Sequence, residues 1–146
     1  MAQVRLELIK DGQAFKIFAL VVDEQNALLE FLNDQNEAMP DETAKLMRLL
    51  DNAAKSGPPR NEEKCRPLQD GIFEFKTRGG IRVFWFYDRD KLIICTHGFV
   101  KKKQKTPPKE IERALKLKKL YENAESEKTK LTARENKHEK SDENLR

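Results

Sequence analysis

The chain has 146 residues, 38% hydrophobic and 37% charged, enough for one domain with a modest core. Its net charge of +4 is unevenly spread: residues 60–121 carry 17 Lys/Arg against 8 Asp/Glu, and the rest carries 12 against 17. That segregation points to one phosphate-attracting face, while the lack of an 18-residue apolar run excludes a membrane-spanning helix and two cysteines are too few for a disulfide framework.

The N-terminus, MAQVRLELIKDGQ, alternates polar and apolar residues and has no signal-peptide core, so a reducing cytoplasm is the expected compartment. Val4, Leu6 and Leu8 predict a half-buried strand, Asp11-Gly12 a hairpin turn, and residues 15–22 the return strand. Asp23 is the expected cap of a helix whose stripe is Leu28, Leu29 and Leu32. Met39-Pro40 breaks that helix, and Asp41 opens a second with Ala44, Met47 and Leu50 at helical spacing, ending near Ser56-Gly57-Pro58-Pro59. Residues 58–71 read as a polar loop.

Three β-type runs follow over 72–78, 81–88 and 91–99, and their short links imply an antiparallel meander. Thr106 with Pro107 is the start signal of a last helix, with Ile111, Leu115 and Tyr121 on or near one face. Beyond Tyr121 few residues are apolar, so residues 1–121 form the expected domain and 122–146 a charged tail, frayed or disordered. The expected fold is α+β: a small antiparallel sheet with two N-terminal helices and one C-terminal helix, packed on one sheet face. Cys95 is expected in the core, and neither it nor Cys65 has a metal-ligand spacing.

The Gly79-Gly80 turn decides what the basic strands can do. A two-residue loop sets Lys76 opposite Val83; a three-residue loop pairs Lys76 with Arg82. The second register, which we favour, places Phe73, Phe75, Val83, Trp85 and Tyr87 on one face and Glu74, Lys76, Arg82, Phe84 and Phe86 on the other. Glu74 is then either a structural ion-pair partner or a proton acceptor. A face with cations and exposed Phe84 and Phe86 suits a nucleotide strand, through phosphate contacts and base stacking. Lys101, Lys102, Lys103 and Lys105 extend it or form a solvated basic loop. His97 reads as a hydrogen-bonded strand residue or a general base. No GxSxG, Walker, GxGxxG, HExxH or paired-Cys motif is present, so any catalysis falls to Lys, Arg, Tyr or His with neither metal nor small-molecule cofactor.

The run IFEFKTRGGIRVFWFYDRDKLIICTHGFVKKKQKTPPKEIERA resembles the RelE/HigB superfamily of bacterial toxin–antitoxin systems, in its phage-derived HigB-like branch. The elements that carry the resemblance are LQDGIFEF from Leu68, Arg82 within GGIRVFWFY, GFVKK from Gly98 on to Lys105-Thr106-Pro107, and EIERA from Glu110. It covers residues 60–121 well and the rest more loosely. The resemblance implies a RelE-like, microbial-RNase-like fold and a toxin that cleaves messenger RNA on the ribosome until a cognate helix-turn-helix antitoxin covers it. The implied chemistry is metal-free attack of a ribose 2′-hydroxyl on the adjacent phosphate, with Arg82 gripping that phosphate and Lys76 and Arg78 as further cations. Lys101, Lys102 and Lys105 would hold RNA backbone or ribosomal RNA. Tyr87 and His97 are the candidates for proton transfer, and Tyr121 qualifies only if the last helix brings it to the sheet. The same fold also implies two alternatives: a ParE-like toxin that binds DNA gyrase, and a degenerate prophage copy that binds only antitoxin or RNA. A plain basic RNA-binding protein is the third reading.

Overall fold

The computed structural model describes residues 2–102 and 105–144, with side chains up to residue 126. Lys103, expected to bind RNA, lies outside the described residues. The elements run β1 (Val4–Asp11), β2 (Lys16–Val22), α1 (Ala27–Ala38), α2 (Pro40–Ser56), β3 (Cys65–Pro67), β4 (Phe73–Lys76), β5 (Ile81–Asp88), β6 (Leu92–Val100) and α3 (Pro108–Asn144). The fold is α+β, with one six-stranded sheet in the order β1-β2-β6-β5-β4-β3.

The hairpin and the three-strand meander form as the sequence predicts, but the sheet is larger than expected and mixed. β2 pairs with β6 in parallel, from Lys16 opposite Leu92 to Ala19 opposite Cys95, which joins the hairpin to the meander. The expected polar loop contains a sixth strand, β3, which sets Arg66 opposite Glu74. Nor do the helices share one face. α1 and α2 pack their leucines and alanines against Phe75, Val83, Trp85, Ile17 and Cys95. The face of Phe84, Phe86, Ile94 and Leu20 is covered by α3 through Ala114 and Tyr121. β5 is therefore buried on both sides from Ile81 to Phe86, the condition of a central strand sandwiched by helices.

Local starts and stops follow capping chemistry with two displacements. Asp23 does not cap α1; it sits in a turn with φ 50° and its carboxylate accepts from Gln3 N. Asn26 takes the cap, accepting from Leu29 N at 2.9 Å. α2 opens with Pro40 at its first turn, where the missing N–H costs nothing, and stops at Gly57 with φ 95°. Thr106, the expected cap of α3, instead turns its hydroxyl inward to Glu74.

Candidate nucleic-acid interface

The register at the Gly79-Gly80 turn sets the site. Lys76 pairs with Arg82, Phe75 with Val83 and Glu74 with Phe84, the three-residue-loop alternative. Strand alternation then gathers Glu74, Lys76 and Arg82 on the α3 side of the sheet. Two neighbours complete the group. β3 brings Arg66 opposite Glu74. Gly80, with φ +105°, lets the exit of β6 cross the turn: Lys101 N donates to Gly80 O at 2.7 Å, and a Cβ on Gly80 would meet Lys101 O at 2.8 Å. Four cations thus surround one carboxylate.

Glu74 has no exposed surface, and both its oxygens are bonded. Arg66 Nε donates to one at 2.6 Å, and the Thr106 hydroxyl donates to the other at 3.3 Å. Of the two open readings, this is the structural ion pair: the carboxylate neutralises part of the site and anchors β3 and the start of α3 to it. Arg66 was missed in the sequence because its strand is three residues long; the only signal is the alternation Cys65-Arg66-Pro67, too short to separate from a loop.

Arg82 is 8% exposed. One terminal nitrogen donates to the carbonyls of Thr77 at 2.8 Å and Ile81 at 3.0 Å, which fixes the guanidinium. Its Nε is buried with no hydrogen-bond partner. Among the described residues the only other such side-chain atom is Trp85 Nε1, on the opposite face of the sheet. Burial lowers the pKa of Arg82, opposed by Glu74 and assisted by Arg66. Lys76 and Lys101 are pushed down first by burial and then by neighbouring cations, Arg82 and Arg66 among them. A cluster that raises the cost of the charges on Lys76, Arg82 and Lys101 is one an anion would relieve.

Several expected site residues lie elsewhere. Phe84 and Phe86 cannot stack on bases: they are 0% and 2% exposed, because α3 covers their face of the sheet. Phe84 stacks instead on Phe99 and lies against the His97 ring. His97 is 1% exposed; its Nε2 donates to the Glu110 carboxylate at 3.1 Å, so Nδ1 accepts from the Thr96 hydroxyl. Burial, reinforced by Arg113, lowers its pKa to about 4 against the pull of Glu110. It is the hydrogen-bonded strand residue of the two readings. Tyr87 is 44% exposed but faces the opposite side of the sheet from Arg82, edge-on to Phe73 and Trp85. α3 does bring Tyr121 to the sheet, yet its hydroxyl donates to Asp88 at the far end of β5. Arg78 projects from the turn towards Glu63, into a cleft beside α2 rather than beside Arg82. Lys102 and Lys105 are exposed near the start of α3.

The structure is thus an α+β domain with a half-buried cationic cluster at one end of its sheet. Residues 30–119 match the model of the family described as Phage derived protein Gp49-like (DUF891), and the chain belongs to that family. It is a toxin–antitoxin-associated family of the RelE/HigB type. No curated protein matches the chain. Among the described residues no helix is long and apolar enough to cross a membrane.

Proposed function

We propose that the protein is the toxin of a toxin–antitoxin pair and cleaves messenger RNA on the ribosome, in the cytoplasm, without a metal. The observation that carries this reading is Arg82: held at one nitrogen by two carbonyls, it keeps a buried Nε without a partner. A phosphate seated among Arg66, Lys76, Arg82 and Lys101 would bring acceptors of the right charge to the cluster. In the proposed reaction a ribose 2′-hydroxyl gives its proton to water and attacks the adjacent phosphorus, and the bond to the 5′-oxygen breaks, giving a 2′,3′-cyclic phosphate and a 5′-hydroxyl. Arg82, Arg66 and Lys101 offset the charge that develops on the phosphoryl oxygens. Lys76, an ammonium whose pKa burial and the neighbouring cations lower, is the proposed proton donor to the leaving oxygen. A helix-turn-helix antitoxin would silence the site by covering it.

A non-nuclease toxin or binder on the same fold is the second reading. It is favoured by the placement of the other candidates, since His97 is buried against Glu110, Tyr121 bonds Asp88 and Tyr87 is on the opposite face, which leaves proton transfer to lysine alone. A purified translation reaction separates the two. With the wild-type protein added, primer extension on a translated message reads new 5′ ends that need ribosomes and disappear with Arg82→Lys. A message left intact at stoichiometric protein rejects the nuclease.

A further inference from the structure

A second basic feature lies around the sheet edge from Arg82. The outer flank of α2, residues 61–64 and the turn after β4 enclose a cleft of about 440 Å³. We propose that it is a nucleotide subsite: it takes the RNA nucleotide next to the step gripped by Arg82, with that phosphate on Arg48 and Lys64 and the base against Leu49 and Asn52. The proposal rests on the reading of the Arg82 cluster as an RNA site and names where the strand goes next.

Charge is the first argument. Five cations line the cleft, Lys45, Arg48, Lys64, Lys76 and Arg78, against one acid, Glu63. Lys45 is taken by Glu42 at 3.0 Å, and Arg78 faces Glu63 at 3.9 Å with both side chains largely exposed, a weak pair. Arg48 and Lys64 have no acidic partner within ion-pair distance among the described residues. Both side chains are exposed, Arg48 on α2 and Lys64 just before β3, so an anion in the cleft can pair with them without displacing a carboxylate.

Size and lining are the second. Small-ligand clefts begin at roughly 300 Å³, so this one admits a single nucleotide and not a folded RNA element. Leu49 gives an apolar floor, and the Asn52 amide offers both a donor and an acceptor to a base edge.

Continuity is the third. Lys76 belongs to both sites: its strand partner is Arg82, while it lines the cleft and its Nζ donates to Glu62 O at 3.1 Å. A single strand leaving Arg82 over Lys76 enters this cleft, and Glu74 is buried rather than facing it.

The test uses the full chain and 5′-fluorescein hexauridylate, followed by anisotropy over a range of KCl concentrations. The double variant Arg48→Ala/Lys64→Ala should bind at least tenfold more weakly. Its log–log salt slope should fall by about 0.7, the value for one phosphate contact on a single strand. Uridine 5′-monophosphate should shift the Asn52 side-chain amide resonances of the wild type and of Arg82→Lys, but not those of the double variant. Hexamer affinity within twofold of wild type in the double variant, or no Asn52 shift in the wild type, overturns the subsite. A hexaglutamate peptide that competes as well as RNA also overturns it, by assigning the cleft to an acidic protein segment. Hexamer binding with these properties but no cleavage on ribosomes would sink the nuclease and leave the subsite standing.

Discussion

Replacing Arg66 with methionine removes the counter-charge of a carboxylate that has no contact with solvent. Glu74 is 0% exposed, receives Arg66 Nε at 2.6 Å, and keeps only the Thr106 hydroxyl when that donor is gone. Removing one partner of a buried ion pair costs about 3–5 kcal/mol, because the other charge is left unpaired in a medium that solvates it poorly. Two features place this case below that range. The Arg66 side chain is 34% exposed, so water already screens the pair, and Lys76, Arg82 and Lys101 keep the carboxylate in a positive field. The expected loss is about 2 kcal/mol, a fall in Tm of about 4–8 °C for a chain of this size. In Arg66→Met/Glu74→Gln the stranded charge is absent, and stability should return to within about 1 kcal/mol of wild type. Urea melts with an unchanged m-value measure both. A single-variant loss under about 0.5 kcal/mol, or a double variant as unstable as the sum of the two singles, would refute the reasoning.

Three further outcomes follow from the packing and the titrations. Gly98→Ala puts a Cβ into the ring of Phe31 on α1 and should cost about 1–3 kcal/mol in urea, with Phe31→Leu restoring part of it. His97→Gln should flatten the acid side of the stability profile. The folded His97 titrates near 4 and the unfolded one near 6.5, so the unfolded state binds more protons between them. Wild-type stability is therefore full above that window and falls as pH drops through it, and the Gln variant should fall less. Tyr121→Phe removes the hydroxyl that bonds Asp88, where burial and that carboxylate push the phenol pKa up. It should cost about 1–2 kcal/mol by thermal melt and leave ribosome-dependent cleavage unchanged.

The local grammar of the chain was readable. Alternation in the meander named the two faces of the sheet, and the separation of cations from aromatics chose the Lys76–Arg82 register that the strands adopt. The Met39-Pro40 break and the Gly57 stop lie where expected, because a missing N–H and a positive φ are written in the residue type. What escaped depends on contacts distant in sequence. Parallel pairing of β2 with β6 leaves no local trace, since any apolar run satisfies it. Phe84 and Phe86 were assigned to the correct face, but alternation does not say what covers a face, and α3 does. Thr106 carries the same sequence signal whether its hydroxyl caps a helix or reaches Glu74, and only the fold brings the carboxylate near. At the site, Arg82, Lys76 and Lys101 were legible and come together. Arg66 was not, and Arg78 went to the cleft beside α2.

The central claim is that Arg82 holds a phosphate of messenger RNA while it is cut. A transcriptome-wide map of new RNA 5′ ends, taken shortly after inducing wild type or Arg82→Lys in a bacterium, tests it most directly. The account predicts new ends inside translated codons in the wild type and their loss in the variant, with the variant folded by its urea melt. Growth arrest without new ends, or the same ends in both strains, would contradict it.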